Sequence, residues 1–314
     1  MLVSSKVPGG FGPAPIAAYL AARFTYLSRE EWEDLVGDGR ITANGAAASL
    51  ATQVSAGDEV ACDLPDFAPP AVNLNVGLLY EDEWLLAVNK PPGLRVHSQG
   101  RFVTANLIYH LRHQHQPPYP EAHLAHRLDA DTSGVVVLAR DKETLAALAR
   151  QFERGEVHKT YLALVHGVPA AATGKIDLPI GKIKGGEVTR YGVMANGKTA
   201  VTYYRLLQQF GQAYAMLELR PAHGRTHQLR VHCTAVGHPI VGDALYTMDE
   251  ADYLAWRREG RHQGEMDLIP RQALHCARLE LDHPRRGTAV AFTALLPADI
   301  EELLAKLPDI AKKE

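Results

Sequence analysis

The chain has 314 residues, 46% of them hydrophobic and 22% charged. That is ordinary globular composition, enough for about two domains, and it excludes a largely disordered chain. Lys plus Arg (33) against Asp plus Glu (36) leaves a net charge of −3, which excludes a uniformly basic nucleic-acid coat but leaves room for a local basic cleft. In chain order, Ile16, Ala17 and Leu20 fall at helical spacing. Ser28 with Glu31 three residues on forms a capping box, and Trp32 and Leu35 follow on one face. Gly37-Asp38-Gly39 stops that helix. Ile41 to Asn44 reads as a strand ending in an Asn-Gly turn, and Glu59 to Cys62 as another after Gly57-Asp58.

The Pro-containing, acidic stretch from Asp63 to Asn73 reads as a linker. The expected division is 1–65, a linker at 66–73, and 74–314. The larger part opens with a strand at Trp84 to Val88 and a stiff turn, Asn89-Lys-Pro-Pro-Gly93. Val135 to Ala139 is a β-branched run expected to be a buried strand. Lys142 to Phe152 is an amphipathic helix with Leu145, Leu148 and Phe152 inward. Thr160 to His166, Met216 to Arg220, Leu274 to Leu281 and Val290 to Leu296 read as strands. Thr226 to Val236 reads as a helix, stopped by Gly237 with Pro239 beyond. Ile300, Leu303, Leu304 and Leu307 mark a last helix. Strands and helices do not alternate regularly, so the fold class is α+β rather than doubly wound.

Several function classes fall away. Cys62, Cys233 and Cys276 are scattered and odd in number, with no C-x-x-C, so a disulfide framework and a zinc knuckle are not expected. No apolar run approaches the roughly 18 residues of a membrane helix, and Lys6 with the Pro15-interrupted run behind it is a poor signal peptide. A soluble cytoplasmic protein is expected. Gly192 to Thr199 matches G-x-x-x-x-G-K-[ST] literally, but it lacks the preceding apolar strand and the following helix. Asn196-Gly197 reads as a turn instead. The 15 histidines show no H-E-x-x-H. His227 and His232 would sit some 140° apart on a helix, so no metal is expected. No G-x-S-x-G is present.

Two segments concentrate chemistry. His126-Arg-Leu-Asp-Ala-Asp-Thr-Ser-Gly134 gathers cations, carboxylates and hydroxyls immediately before a buried strand, where catalytic groups often lie; an Asx or ST turn is the plainer reading. Gly224-Arg-Thr-His-Gln-Leu-Arg-Val-His232 places Arg225, His227 and Arg230 at a helix start, which suits an anion. A solvated helix with Leu229, Cys233 and Val236 inward is compatible with it.

The first of these segments resembles the signature of the RluA family of RNA pseudouridine synthases. Asn89-Lys-Pro-Pro-Gly93, Lys159-Thr-Tyr-Leu-Ala163, Gly224 to His232, Gly237-His-Pro-Ile-Val-Gly-Asp243, and Leu274-His275 with His283-Pro284 agree in order. The resemblance implies a mixed, largely antiparallel sheet with a central cleft, and isomerisation of uridines in structured ribosomal or transfer RNA. It implies no cofactor and no required protein partner. By resemblance Asp129 is the catalytic carboxylate, Tyr161 the active-site tyrosine, and Arg225 the ion-pair partner of Asp129. His126, Arg127, Leu229 and Arg230 are the expected RNA contacts, with Arg127 filling the stack vacated by a flipped base and Leu229 packing on uracil. Trp32-x-x-Leu35, Gly39-Arg-Ile-Thr-Ala-Asn-Gly45 and Gly57-Asp58 are similar to a small α/β RNA-binding domain found in ribosomal proteins. Its main cations are only Arg23, Arg29 and Arg40, so little RNA affinity is expected of it alone. A phosphate-loop nucleotidase and a non-catalytic RNA-binding protein of the same fold are the alternatives.

Overall fold

The computed structural model describes residues 2–24, 27–64, 68–100, 102–259 and 268–310. The chain divides into two compact units, Met1–Ala71 with Ser98–Ala105, and Val72–His97 with Asn106–Glu314. Of the expected linker, residues 66 and 67 lie outside the described residues, and 68–73 carry no regular structure.

In chain order the first unit contains β1 (Leu2–Lys6), β2 (Ala14–Pro15), α1 (Ile16–Arg23) and α2 (Arg29–Gly37). β3 (Ile41–Ala43), β4 (Ala46–Ala47), β5 (Gln53–Val54) and β6 (Glu59–Asp63) follow. The sheet order is β1-β6-β3-β4, with β2 and β5 paired separately. The Ser28 hydroxyl accepts the Glu31 N–H while the Glu31 carboxylate accepts the Ser28 N–H, so α2 starts on a complete capping box. Trp32 is fully buried with Ile16, Tyr19 and Leu20, and its indole N–H donates to the Phe24 carbonyl. Asn44 and Gly45, both at positive φ, make the turn between β3 and β4. Of Arg23, Arg29 and Arg40, two are spent on carboxylates, Arg29 on Glu33 and Arg40 on Asp63.

The second unit begins with β7 (Gly77–Glu81), β8 (Leu85–Lys90), α3 (Leu107–His113), β9 (His123–Leu124), β10 (Ser133–Ala139) and α4 (Lys142–Arg154). Then come β11 (His158–His166), β12 (Thr173–Asp177), β13 (Ile180–Lys182), β14 (Tyr191–Val193), β15 (Val201–Phe210) and β16 (Tyr214–Pro221). It closes with α5 (Gln228–Ala235), α6 (Ala244–Thr247), α7 (Glu250–Glu259), β17 (Leu274–Asp282), β18 (Ala289–Thr293) and α8 (Ala298–Ile310). The main sheet runs β12-β15-β16-β11-β17-β10-β8-β7, with β18 on β17 and β9 on β10. Among the described strands every pair in it is antiparallel except β10 with β17. This is the expected α+β architecture with a largely antiparallel sheet.

All seven residues of β10 are buried, which is why it reads as an unbroken β-branched run. The Gly192–Thr199 segment is indeed not a phosphate loop. The Gly197 N–H closes a turn on the Met194 carbonyl, and Lys198 pairs with Ile180. The helix expected from Thr226 starts two residues later, because His227 adopts a left-handed φ of 55°.

The parallel pairing matters most at Gly134, which has φ +113°. A Cβ there would fall on the Cys276 carbonyl of β17. Gly134→Ala therefore combines left-handed strain with a backbone clash. It should cost about 3 kcal/mol or more of stability in urea unfolding. A loss under about 1 kcal/mol would show that β10 and β17 can separate at this point.

Candidate active site

The loop between β9 and β10 carries Asp129, and three side chains hold it from beneath. Lys90, buried at the end of β8, donates from Nζ to the carbonyls of Pro91, Leu94 and Ala130 at 2.8, 2.9 and 2.8 Å. Burial draws the Lys90 ammonium down to about 7, against the pull of Asp131. Three acceptors nonetheless match three N–H donors, an arrangement that belongs to the charged form. Arg271 donates to the Asp131 carbonyl and forks onto both Asp299 oxygens, at 2.7 and 2.8 Å. Gln272 reaches the Thr132 hydroxyl, and Ser133 bonds His275 at 2.9 Å. The loop that carries Asp129 is thereby fixed by residues from β8 and from the segment leading into β17. Asp131 takes part through its carbonyl.

Opposite this loop stands the start of α5. Gln228 is buried and binds the Val201 carbonyl and the Thr202 hydroxyl, which anchors the helix to β15. Within the first turn of α5, Arg230 forks onto Asp243 through Nε and Nη2, both at 2.7 Å. Its Nη1 donates to Asp129 Oδ2 at 3.0 Å. The expected ion pair of Asp129 is thus formed by Arg230, not Arg225. Arg225 precedes the helix, and its Nε donates to the Thr199 carbonyl at 3.0 Å. Arg230, one of the expected RNA contacts, is buried between two carboxylates at the cleft.

Only Oδ2 of Asp129 is engaged. Among the described residues Oδ1 accepts no hydrogen bond. Burial opposes ionisation of this carboxyl, but His227 and Arg230 outweigh it and hold it below the ordinary value of 3.8. Of the two, Arg230 acts at neutral pH. His227, whose Nε2 lies 3.8 Å from Oδ2, is itself pushed down to about 4 by burial and is neutral there. The orientation of His227 follows from its neighbour. The Tyr246 hydroxyl accepts the Tyr191 N–H and shares a hydrogen bond with His227 Nδ1 at 2.9 Å, which orients the ring so that Nε2 faces Asp129.

A cleft of about 750 Å³ opens over Asp129 and is lined by Arg127, Phe152, Lys159, Tyr161 and Leu229 among others. Tyr161 comes from β11. Burial first, then Cys276 and Asp129, push its hydroxyl well above 10, so it keeps its proton. Arg127 is exposed at this cleft and Leu229 is buried with one edge facing it. Arg225 lines the rim.

His126 differs from expectation. Its Nε2 accepts the Val137 N–H at 2.9 Å and its ring packs on Phe152. Burial, helped by Lys159, lowers its pKa from 6.5 to about 3. It is therefore a neutral staple of β10 rather than a cation for RNA. Below about 6.5 the unfolded chain protonates this ring, whereas the folded chain does not until about pH 3. Stability must fall as pH drops through that window, by about 1.4 kcal/mol per unit for each such group. His126→Gln can still accept the Val137 N–H but cannot titrate. Its loss of stability between pH 6.5 and 5 should be smaller than that of the wild type by up to about 2 kcal/mol. Parallel urea titrations at the two pH values check this, and equal losses would refute it.

Sequence reasoning assigned no role to Lys90, Arg271, Asp243 or Tyr246. Lys90 and Asp243 stand inside recognised blocks, so the signal was their position there. Arg271 carries none. Among the described residues no cluster of His, Cys, Asp or Glu is arranged to hold a metal, all three cysteines are buried thiols, and no helix is long and apolar enough to cross a membrane.

Residues 84–235 match the family described as RNA pseudouridylate synthase. The chain is 36% identical to ribosomal large subunit pseudouridine synthase D of Xylella fastidiosa, over 96% of this chain and 92% of that one. It is 33% identical to the enzyme of the same name from Pseudomonas aeruginosa, over 97% and 95%. Among solved structures, human RNA pseudouridylate synthase domain containing 4 superposes with a TM-score of 0.56 at 31% identity, covering 74% of this chain and 92% of that one. With identity of this order along almost the whole chain, and a family match over residues 84–235, the chain belongs to the RluA family of RNA pseudouridine synthases.

Proposed function

We propose that this protein converts specific uridines of large-subunit ribosomal RNA to pseudouridine, with Asp129 as the catalytic carboxylate. The observation that carries the reading is the division of labour within one side chain. Oδ2 is tied to Arg230, which keeps the group ionised, while Oδ1 is left unbonded beside the cleft. In the reaction the N1–C1′ bond breaks, the uracil turns, C5 joins C1′, and the C5 proton is lost while N1 regains one. The isomerisation is redox-neutral and adds no group, so it calls for no cofactor. Oδ1 meets the sugar or base when the bond breaks, as nucleophile or base. Tyr161, protonated in the free cleft, stacks on the base and relays the C5 proton by passing on its own.

A stacked uridine must leave its helix to reach this floor. In this reading Arg127, exposed at the cleft, occupies the vacated stack and Leu229 faces the uracil. The first unit serves as an accessory RNA-binding-like domain. With Arg29 and Arg40 already paired, it adds little affinity by itself.

The test is to incubate the purified protein with unmodified large-subunit ribosomal RNA and with bulk unmodified transfer RNA, then map pseudouridine in both. New pseudouridine at defined positions of the ribosomal RNA is expected. Modification of transfer RNA alone would overturn the substrate, and tight RNA binding without any pseudouridine would overturn the activity in favour of a binding protein.

A further inference from the structure

Lys159 has no part in the chemistry so far, yet its ammonium stands in the cleft. It lies two residues before Tyr161 on β11, so both side chains leave the same face of the strand and line the same cavity. Among the described residues its Nζ has no hydrogen-bond acceptor and no carboxylate partner. Its one close neighbour of note is the Phe152 ring, 5.4 Å away, which is a cation–π contact. The titratable groups facing it are His126 and Cys276, which burial holds neutral at about 3 and about 12. The ammonium has no counter-ion of its own among the described residues, and burial lowers its pKa from 10.5. Gly224 faces it, and a Cβ there would make an ordinary van der Waals contact with Nζ at 3.5 Å.

Lys159 also lines a second groove that continues from the cleft past Gly155 and Pro221 to Tyr203, Arg220 and Arg278. Arg220 and Arg278 are each tied to a carboxylate, Glu218 and Glu280, at 2.8 and 2.9 Å. Lys159 is therefore the unpaired cation at the junction of cleft and groove.

We propose that Lys159 is a phosphate-binding residue, taking a phosphodiester that flanks the flipped uridine where the RNA chain passes from the cleft into this groove. The inference rests on the RNA-modifying reading above. It fits the spacing of the site, since the base goes to Asp129 and Tyr161 and the backbone has to be neutralised nearby.

The test compares wild type, Lys159→Met and Lys159→Arg on unmodified large-subunit ribosomal RNA between about 50 and 200 mM salt. Met keeps the stem over Phe152 and removes the charge. KM for Lys159→Met should rise about 10-fold with kcat within about 2-fold, and the log–log salt dependence of binding should flatten by about 0.7–0.9, one phosphate contact. Lys159→Arg should restore both. A fall in kcat with KM and salt slope unchanged would overturn the proposal in favour of a proton-transfer or structural role. If Lys159→Met does not fold, Lys159→Gln is read on the same slope, and an unchanged slope in either folded variant overturns it. Filter binding of the same RNA reads the slope even if the wild type makes no pseudouridine, so failure of the activity and failure of the phosphate contact are separate results.

Discussion

Asp129→Asn should abolish pseudouridine formation while leaving a folded, RNA-binding protein. The amide keeps the shape of the side chain and can still accept from Arg230 through its oxygen. It loses the anion, and with it any nucleophile or base at the Oδ1 position. Stability should change by less than about 1 kcal/mol, because Arg230 retains its fork onto Asp243 and no cation is left bare. Binding should persist, since phosphate contacts dominate affinity for RNA. Asp131→Asn supplies the contrast. Arg271 grips the carbonyl of residue 131, which the substitution leaves in place, so that variant should stay active. Product on bulk ribosomal RNA is measured beside thermal unfolding. An Asp129→Asn protein that turns over normally, with or without a lower Tm, would remove Asp129 from the chemistry.

What the sequence made legible was local. The capping box at Ser28, the buried run of β10 and the amphipathic face of α4 are written in contiguous residues, and they fold as read. The polar loop that ends at β10 stands out by its charges next to a buried strand, but Asp129 within it is singled out only by the family resemblance. What was not legible depends on burial and on distant partners. His126 stands among charged residues and reads as a cation. Only its packing against Phe152 and its bond to Val137 make it neutral. Lys90 grips a carbonyl 40 positions away and Arg271 one 140 positions away, and no periodicity encodes such pairs. The choice between Arg225 and Arg230 turned on a single backbone angle. Because His227 is left-handed, α5 starts at Gln228. Arg225 is left before the helix, and Arg230 lies in its first turn with its side chain toward Asp129.

That difference sets up the second large effect. Arg230→Met should cost about 3–5 kcal/mol of stability and all measurable activity. The side chains of Arg230 and Asp243 are only 8% and 1% exposed, so losing the guanidinium leaves a carboxylate buried without a counter-charge. Asp129 loses the one hydrogen-bond donor its side chain has among the described residues as well. Burial then acts on Asp129 with only a neutral His227 beside it, and its pKa must rise from below its ordinary value. Any residual activity should therefore shift toward higher pH, where the raised carboxyl ionises. Arg225→Met removes one bond to the Thr199 carbonyl on a half-exposed side chain, and should cost under about 1 kcal/mol with at most a modest rise in KM. A double variant separates stability from chemistry. Adding Asp243→Leu to Arg230→Met removes the stranded charge and should recover much of the stability, since apolar replacement of a buried pair is often tolerated. It should recover no activity, because Asp129 remains unpaired. Urea unfolding and pseudouridine yield on the four proteins decide the matter. If Arg225→Met proves the more damaging single change, the ion pair that governs Asp129 is not the one between α5 and the catalytic loop.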